Sequence, residues 1–151
     1  MADIVDSKTR SRMMSAIRGK NTQPELTVRK GLHARGFRFR LHDPRLPGRP
    51  DIVLPKHKVI VLVHGCFWHG HSCRFFKKPA SNRKFWLDKI EGNRRRDARN
   101  SRRLKSAGWK VITVWECTFR GKTDKQRQAG LDRLAKRIRQ VSETPAAFGK
   151  R

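Results

Sequence analysis

The chain has 151 residues, 36% of them hydrophobic, with 38 Lys and Arg against 12 Asp and Glu and a formal net charge of +26. That length supports one domain with its own core and is short for two. The charge opposes compaction unless a polyanion neutralises it, so nucleic acid leads over a ribosomal or membrane-surface role as the expected setting.

No stretch approaches the roughly 20 apolar residues a membrane-spanning helix needs. Residues 1–7 are acidic and carry no apolar signal segment, which predicts a cytoplasmic protein. Three cysteines are an odd number, and they sit with histidines, so metal binding is expected rather than disulfides.

In chain order, Asp6 or Ser7 can cap a short basic helix running to about Ile17. Its apolar face, Met13, Met14 and Ile17, can dock on the core or, as a DNA-wrapping arm, press against a minor groove. Gly19-Lys20-Asn21 breaks it. Thr22 to Glu25 reads as a capping box opening a helix that runs to Arg35, with Gly36 just past its end. Phe37, Phe39 and Leu41 alternate with Arg38, Arg40 and His42, which predicts a half-buried strand with one basic face. The loop 43–50 holds three prolines and a glycine. Residues 51–54 form a second strand, and 59–64 an apolar central one. After a basic loop, a long helix spans about 83–106, with Phe85, Trp86, Ile90 and Leu104 as its apolar positions. Residues 109–115 form another buried strand, and 125–141 a last helix with Leu131, Leu134, Ile138 and Val141 inward. The expected class is α/β, a small mixed sheet with helices on both faces. The expected division is a basic DNA-binding arm (1–20), a main domain (21–142) and a disordered basic tail (143–151).

Residues 64–73, His-Gly-Cys-Phe-Trp-His-Gly-His-Ser-Cys, hold three of the six histidines and two of the three cysteines. Cys66, His71, Cys73 and the distant Cys117 offer a Cys₃His set, a normal structural zinc shell. His71 is preferred as the fourth ligand because it leaves His64 and His69 on the other side of the loop; His69 stays open as the alternative. A closed zinc site would stiffen a loop with little core of its own.

The strand ends beside this loop suggest catalysis. Asp51, on a strand start, can bind Mg²⁺, which neutralises charge as a phosphodiester is attacked. Glu25 could orient the attacking water, and His69 accept its proton. Asp97, on the long helix, could orient that imidazole, and His64 could stabilise phosphate charge. Singly, each residue is more readily a turn, cap or surface ion pair; their convergence around one loop supports the catalytic reading.

Gly48-Arg49-Pro50-Asp51, the segment His64 to Cys73, Phe85-Trp86-x-x-Lys89-Ile90-x-x-Asn93-x-x-Arg96-Asp97, and Gly108-Trp109-x-Val111…Trp115-Glu116-Cys117 resemble the very-short-patch mismatch repair endonucleases, from residue 1 to about Gly121. The resemblance implies a restriction-endonuclease-like α/β core with a structural zinc site. It implies a bacterial, nucleoid-associated enzyme that makes a Mg²⁺-dependent nick beside the T of a T:G mismatch arising from 5-methylcytosine deamination. It assigns Asp51 to the metal and His69 as general base, with Glu25, His64 and Asp97 in support, and Cys66, His71, Cys73 and Cys117 to zinc. Phe67, Trp68 and Trp86 would enter the DNA stack. The wider nuclease superfamily carries an acid-x-Lys pattern on the strand after the first Asp. This chain has Val63-His64-Gly65 there, and the resemblance implies that the backbone carbonyl of Val63 takes the metal position. Expected partners are double-stranded DNA with a T:G mismatch and downstream repair proteins, with no membrane and a monomeric enzyme.

Two aromatics at an exposed tip, Phe67 and Trp68, suit base stacking, worth about 1–3 kcal/mol per base; they can also pack beneath the loop as a satellite core, as can Trp86. Two further functions compete: a restriction-type or structure-specific nuclease without a T:G requirement, and a zinc protein that binds DNA without cutting it.

Overall fold

The computed structural model describes residues 22–74, 76–77 and 80–143. The expected arm helix, with Met14 and Ile17, lies outside them, as does residue 144 onward.

Helix α1 (Gln23–Ala34) starts where Thr22 Oγ1 accepts the Glu25 N–H at 3.4 Å, with Pro24 in the first turn. It stops in a Schellman arrangement. Gly36, at φ +91°, donates its N–H to His33 O, and Phe37 donates to Leu32 O at 3.0 Å. Both Phe37 and Leu32 are buried in the main core, the apolar contact that accompanies this ending.

Phe37 is thereby used to stop a helix, and the strand expected from residue 37 shrinks to β1 (Arg40–Leu41). It ends because His42 turns out of extended conformation (φ +47°) and Asp43 accepts the Arg45 N–H, opening a turn. Leu41, expected inward, is 39% exposed.

Strands β2 (Ile52–Leu54), β3 (Val59–His64) and β4 (Lys110–Trp115) complete a mixed four-stranded sheet in the order β1-β2-β3-β4. β1–β2 and β2–β3 are antiparallel, and β3–β4 is parallel. The parallel step requires a crossover, supplied by helix α2 (Arg83–Ser106). Helix α3 (Asp124–Ser142) begins with a full capping box between Thr123 and Gln126.

The sheet buries both faces. Ile52, Leu54, Val59, Val61, Ile112 and Val114 pack against Val28 and Leu32 of α1 and Leu131, Leu134 and Ile138 of α3. On the other face Val53 and Ile60 meet Leu104 of α2. The long helix is less apolar than expected, since Phe85 is 59% exposed. No described helix is long and apolar enough to cross a membrane.

Candidate active site and metal centre

A cleft of about 1030 Å³ opens at the ends of β2 and β3, between the start of α1 and the middle of α2. Glu25, Asp51, Val63, His64, His69 and Asp97 all line it, with Phe67 and Trp68 at its side. Arg49, Lys89, Arg96 and Arg120 also face it, so the acidic floor has a cationic rim suited to a polyanion. The Gly48 turn lies flat on α2: at φ +77°, a Cβ there would fall 2.6 Å from Asn100 Nδ2.

Asp51 is delivered immediately before β2. Its Oδ2 accepts the Val63 N–H at 2.8 Å. Burial pushes its carboxyl up to about 6, and the charge of Glu25 pushes the same way, against the Val63 hydrogen bond. The β2–β3 register Ile52↔Val61, continued by two residues, sets Val63 opposite Pro50. Proline has no N–H, so it cannot give the Val63 carbonyl the ladder bond that position would otherwise make. This frees a backbone oxygen beside a carboxylate, and both are hard ligands of the kind Mg²⁺ takes.

Glu25 is 2% exposed, and its Oε2 lies 3.4 Å from Arg29 Nη1 and 2.6 Å from His42 Nε2. Sequence reading placed His42 on a basic strand face. The left-handed turn after β1 swings it inward, where one ligand atom each from Glu25, His42 and Asp51 all lie within 4.8 Å of one another.

Opposite, His69 Nδ1 is hydrogen-bonded to Asp97 Oδ2, which fixes the ring and leaves Nε2 as the nitrogen free for proton transfer. His64 stacks on His69, and burial pushes its imidazole down to about 4, so it is neutral at physiological pH. His69 is near enough for its charge to lower the Asp51 carboxyl against the dominant effect of burial.

The loop after β3 curls back through His69 N–H to Gly65 O and His71 N–H to Cys66 O. Cys66, His71, Cys73 and Cys117 bring their ligand atoms within 4.8 Å of one another. Cys117 Sγ lies 3.7 Å from His71 Nδ1, so among the described residues His71, and not His69, joins the cysteines. Burial pushes the Cys66 thiol up to about 12 and raises that of Cys117. A cation bound here would displace these thiol protons, and a Cys₃His set is one that zinc takes. Trp115 stands between the two centres, stacked on His71 with centroids 4.1 Å apart and edge-on to His64 at 5.3 Å.

The rings of Phe67, Trp68 and Trp86 are half-buried against one another, with centroids 5.0 to 6.0 Å apart. Asn93 Nδ2 on α2 donates to the Trp68 carbonyl at 2.9 Å and anchors the tip. Glu116 accepts the Cys66 N–H at 3.1 Å. The parts played by His42, Trp115 and Glu116 are not legible in the order of residues, because they depend on contacts between distant segments.

Residues 2–75 match the family described as DNA mismatch endonuclease Vsr. The Escherichia coli K12 protein "DNA mismatch endonuclease Vsr" is 44% identical over 134 residues, covering 89% of this chain and 86% of that one. "Type II nicking enzyme V.NmeAIP" of Neisseria meningitidis is 47% identical over 139 residues, covering 92% and 98%. "Type II nicking enzyme V.XorIIP" of Xanthomonas oryzae pv. oryzae is 49% identical over 117 residues, covering 78% and 86%. With relatives this similar along most of its length, the chain belongs to the Vsr DNA mismatch endonuclease family and is a DNA nicking endonuclease.

Proposed function

We propose that the enzyme hydrolyses one phosphodiester 5′ to the T of a T:G mismatch left by 5-methylcytosine deamination, starting very-short-patch repair in the bacterial cytoplasm. The observation that carries this reading is the convergence of Asp51, Val63 and the His69–Asp97 pair in one basic-rimmed cleft beside an aromatic tip. Asp51 and the Val63 carbonyl hold Mg²⁺. When bound, the ion supplies charge neutralisation at the phosphate under attack. Glu25 orients the attacking water. His69, held through Nδ1 by Asp97, takes the water's proton at Nε2 as the new P–O bond forms and the bond to the leaving oxygen breaks. Neutral His64 contributes a hydrogen bond to the phosphate rather than a charge.

Zinc on Cys66, His71, Cys73 and Cys117 is structural and stiffens the tip. Phe67, Trp68 and Trp86 separate their mutual contacts to stack on bases beside the mismatch, where opening a step costs least. Residues 1–20, outside the described residues, would be the DNA-binding arm that carries Met14 and Ile17. Residues 21–142 are the nuclease domain and 143–151 a basic tail. One nick needs one active site, so the enzyme works as a monomer and hands its product to downstream repair proteins.

A second reading is favoured by two relatives named type II nicking enzymes: a restriction-type nuclease without a T:G requirement. Strand-resolved cleavage of matched and T:G duplexes in Mg²⁺ separates the two. Cutting confined to the T strand of the T:G duplex is expected; equal cutting of both duplexes rejects the mismatch requirement.

A further inference from the structure

His42 is a half-buried polar group that the mechanism above leaves unused. Its Nε2 is shielded from solvent and makes no correctly directed hydrogen bond. Glu25 Oε2 is only 2.6 Å away, but outside the direction in which the ring nitrogen can donate. Two polar atoms so close yet misaligned are poorly explained as a hydrogen-bonded pair. They are better explained as two ligands whose lone pairs converge on a third point. The Asp51 carboxylate supplies the neighbouring corner, all three ligand atoms lying within 4.8 Å of one another. Two ligands about 2.1 Å from a divalent ion and at right angles to it stand about 3 Å apart, so the His42–Glu25 pair needs to open only slightly to admit one.

Three separate elements build this corner: the first turn of α1, the chain just past β1, and the residue before β2. The backbone reinforces it. His42 donates its N–H to Asp51 O at 3.2 Å while its φ of +47° turns the side chain inward.

We propose that His42 is a further protein ligand of the cation held by Asp51 and the Val63 carbonyl, with Glu25 meeting the same ion beside the water it orients, so that an imidazole joins what would otherwise be oxygens alone. The inference rests on the reading of Asp51 as the cation carboxylate. Imidazole is a softer donor than oxygen, so the site should favour Mn²⁺ over Mg²⁺ more strongly than an all-oxygen site would.

The test uses the full-length protein and Mn²⁺ alone. Pulsed electron paramagnetic resonance of the Mn²⁺ complex should show nitrogen modulation, and ¹⁵N-histidine labelling of the wild-type protein should change its frequencies. His42→Gln should remove that modulation and weaken Mn²⁺ binding about tenfold or more, while Mg²⁺ binding changes less. No nitrogen modulation in the wild-type complex, or modulation that survives in folded His42→Gln, overturns the proposal. Asp51→Asn distinguishes the two levels of the argument. If it abolishes Mn²⁺ binding while the His42 results are negative, the cation reading of Asp51 stands and the role of His42 falls. If Mn²⁺ binds equally well to Asp51→Asn, both fall.

Discussion

His64 and His69 lie face to face, ring centroids 3.8 Å apart and planes within 2° of parallel. Two imidazolium ions could not sit this way without repulsion. Burial keeps His64 neutral, so the charge that His69 gains when it takes a proton is faced by Asp97 and not by a second cation. His69→Ala should therefore slow nicking by about 10²–10⁴-fold while leaving DNA affinity near the wild-type value. Single-turnover cleavage beside a binding titration checks this, and nicking at an unchanged rate would reject His69 as the base.

Asp97→Asn keeps the shape but removes the charge that fixes the His69 ring. A large rate loss with an unchanged dissociation constant for DNA is expected. Rescue at high pH would point to a missing base instead, and would count against orientation.

The Asp51 carboxyl, raised from 3.8 to about 6 by burial, opposes folding in its charged form. For this group, stability of the cation-free protein is greatest below pH 4 and is lost as pH rises through about 6. At 1.36 kcal/mol per pH unit, the displacement corresponds to roughly 3 kcal/mol. Asp51→Asn should accordingly stabilise the cation-free protein at pH 8 and hardly change it at pH 4, as urea unfolding would show. Cation and proton compete for the same oxygens, so the apparent affinity for Mg²⁺ should climb between pH 5 and 7.

Metal analysis of the purified protein should find about one zinc per chain. Cys117→Ala, or a strong chelator, should lower the melting temperature markedly, because site formation contributes folding free energy. A fully folded, equally stable protein without zinc would contradict the assignment.

Gly70 at the loop tip has φ +63°, and a Cβ there would fall 2.9 Å from Ile90 Cγ2 and 3.0 Å from Arg94 Cδ on α2. Gly70→Ala should cost about 1–3 kcal/mol and cut activity more than it cuts affinity for matched duplex, since it shifts His69 and His71 together.

Much of the site is legible in the sequence because its residues are packed into few positions. Three of the four Cys₃His residues fall within eight residues, and Asp51 opens an unmistakable strand. The long apolar run of β3 and the period of α3 are equally direct. What is not legible depends on contacts between distant segments. Alternation around Phe39 predicted a strand, but Phe37 had already been taken to close α1. The same alternation set His42 facing solvent, because nothing nearby announces a left-handed turn. Trp115 read as strand core, although its ring serves two histidines that precede it by more than forty residues. Phe85 looked inward-facing beside Trp86 and is instead exposed.

The parallel pairing of β3 with β4 has a consequence for how the molecule matures. Cys66, His71 and Cys73 leave the ribosome well before Cys117, and β4, the strand that leads into Cys117, can join β3 only once α2 has been laid across the sheet. A closed four-ligand shell therefore certifies a finished topology. A nascent or truncated chain that stops before β4 would hold zinc loosely or not at all, and would present its cutting loop unbraced.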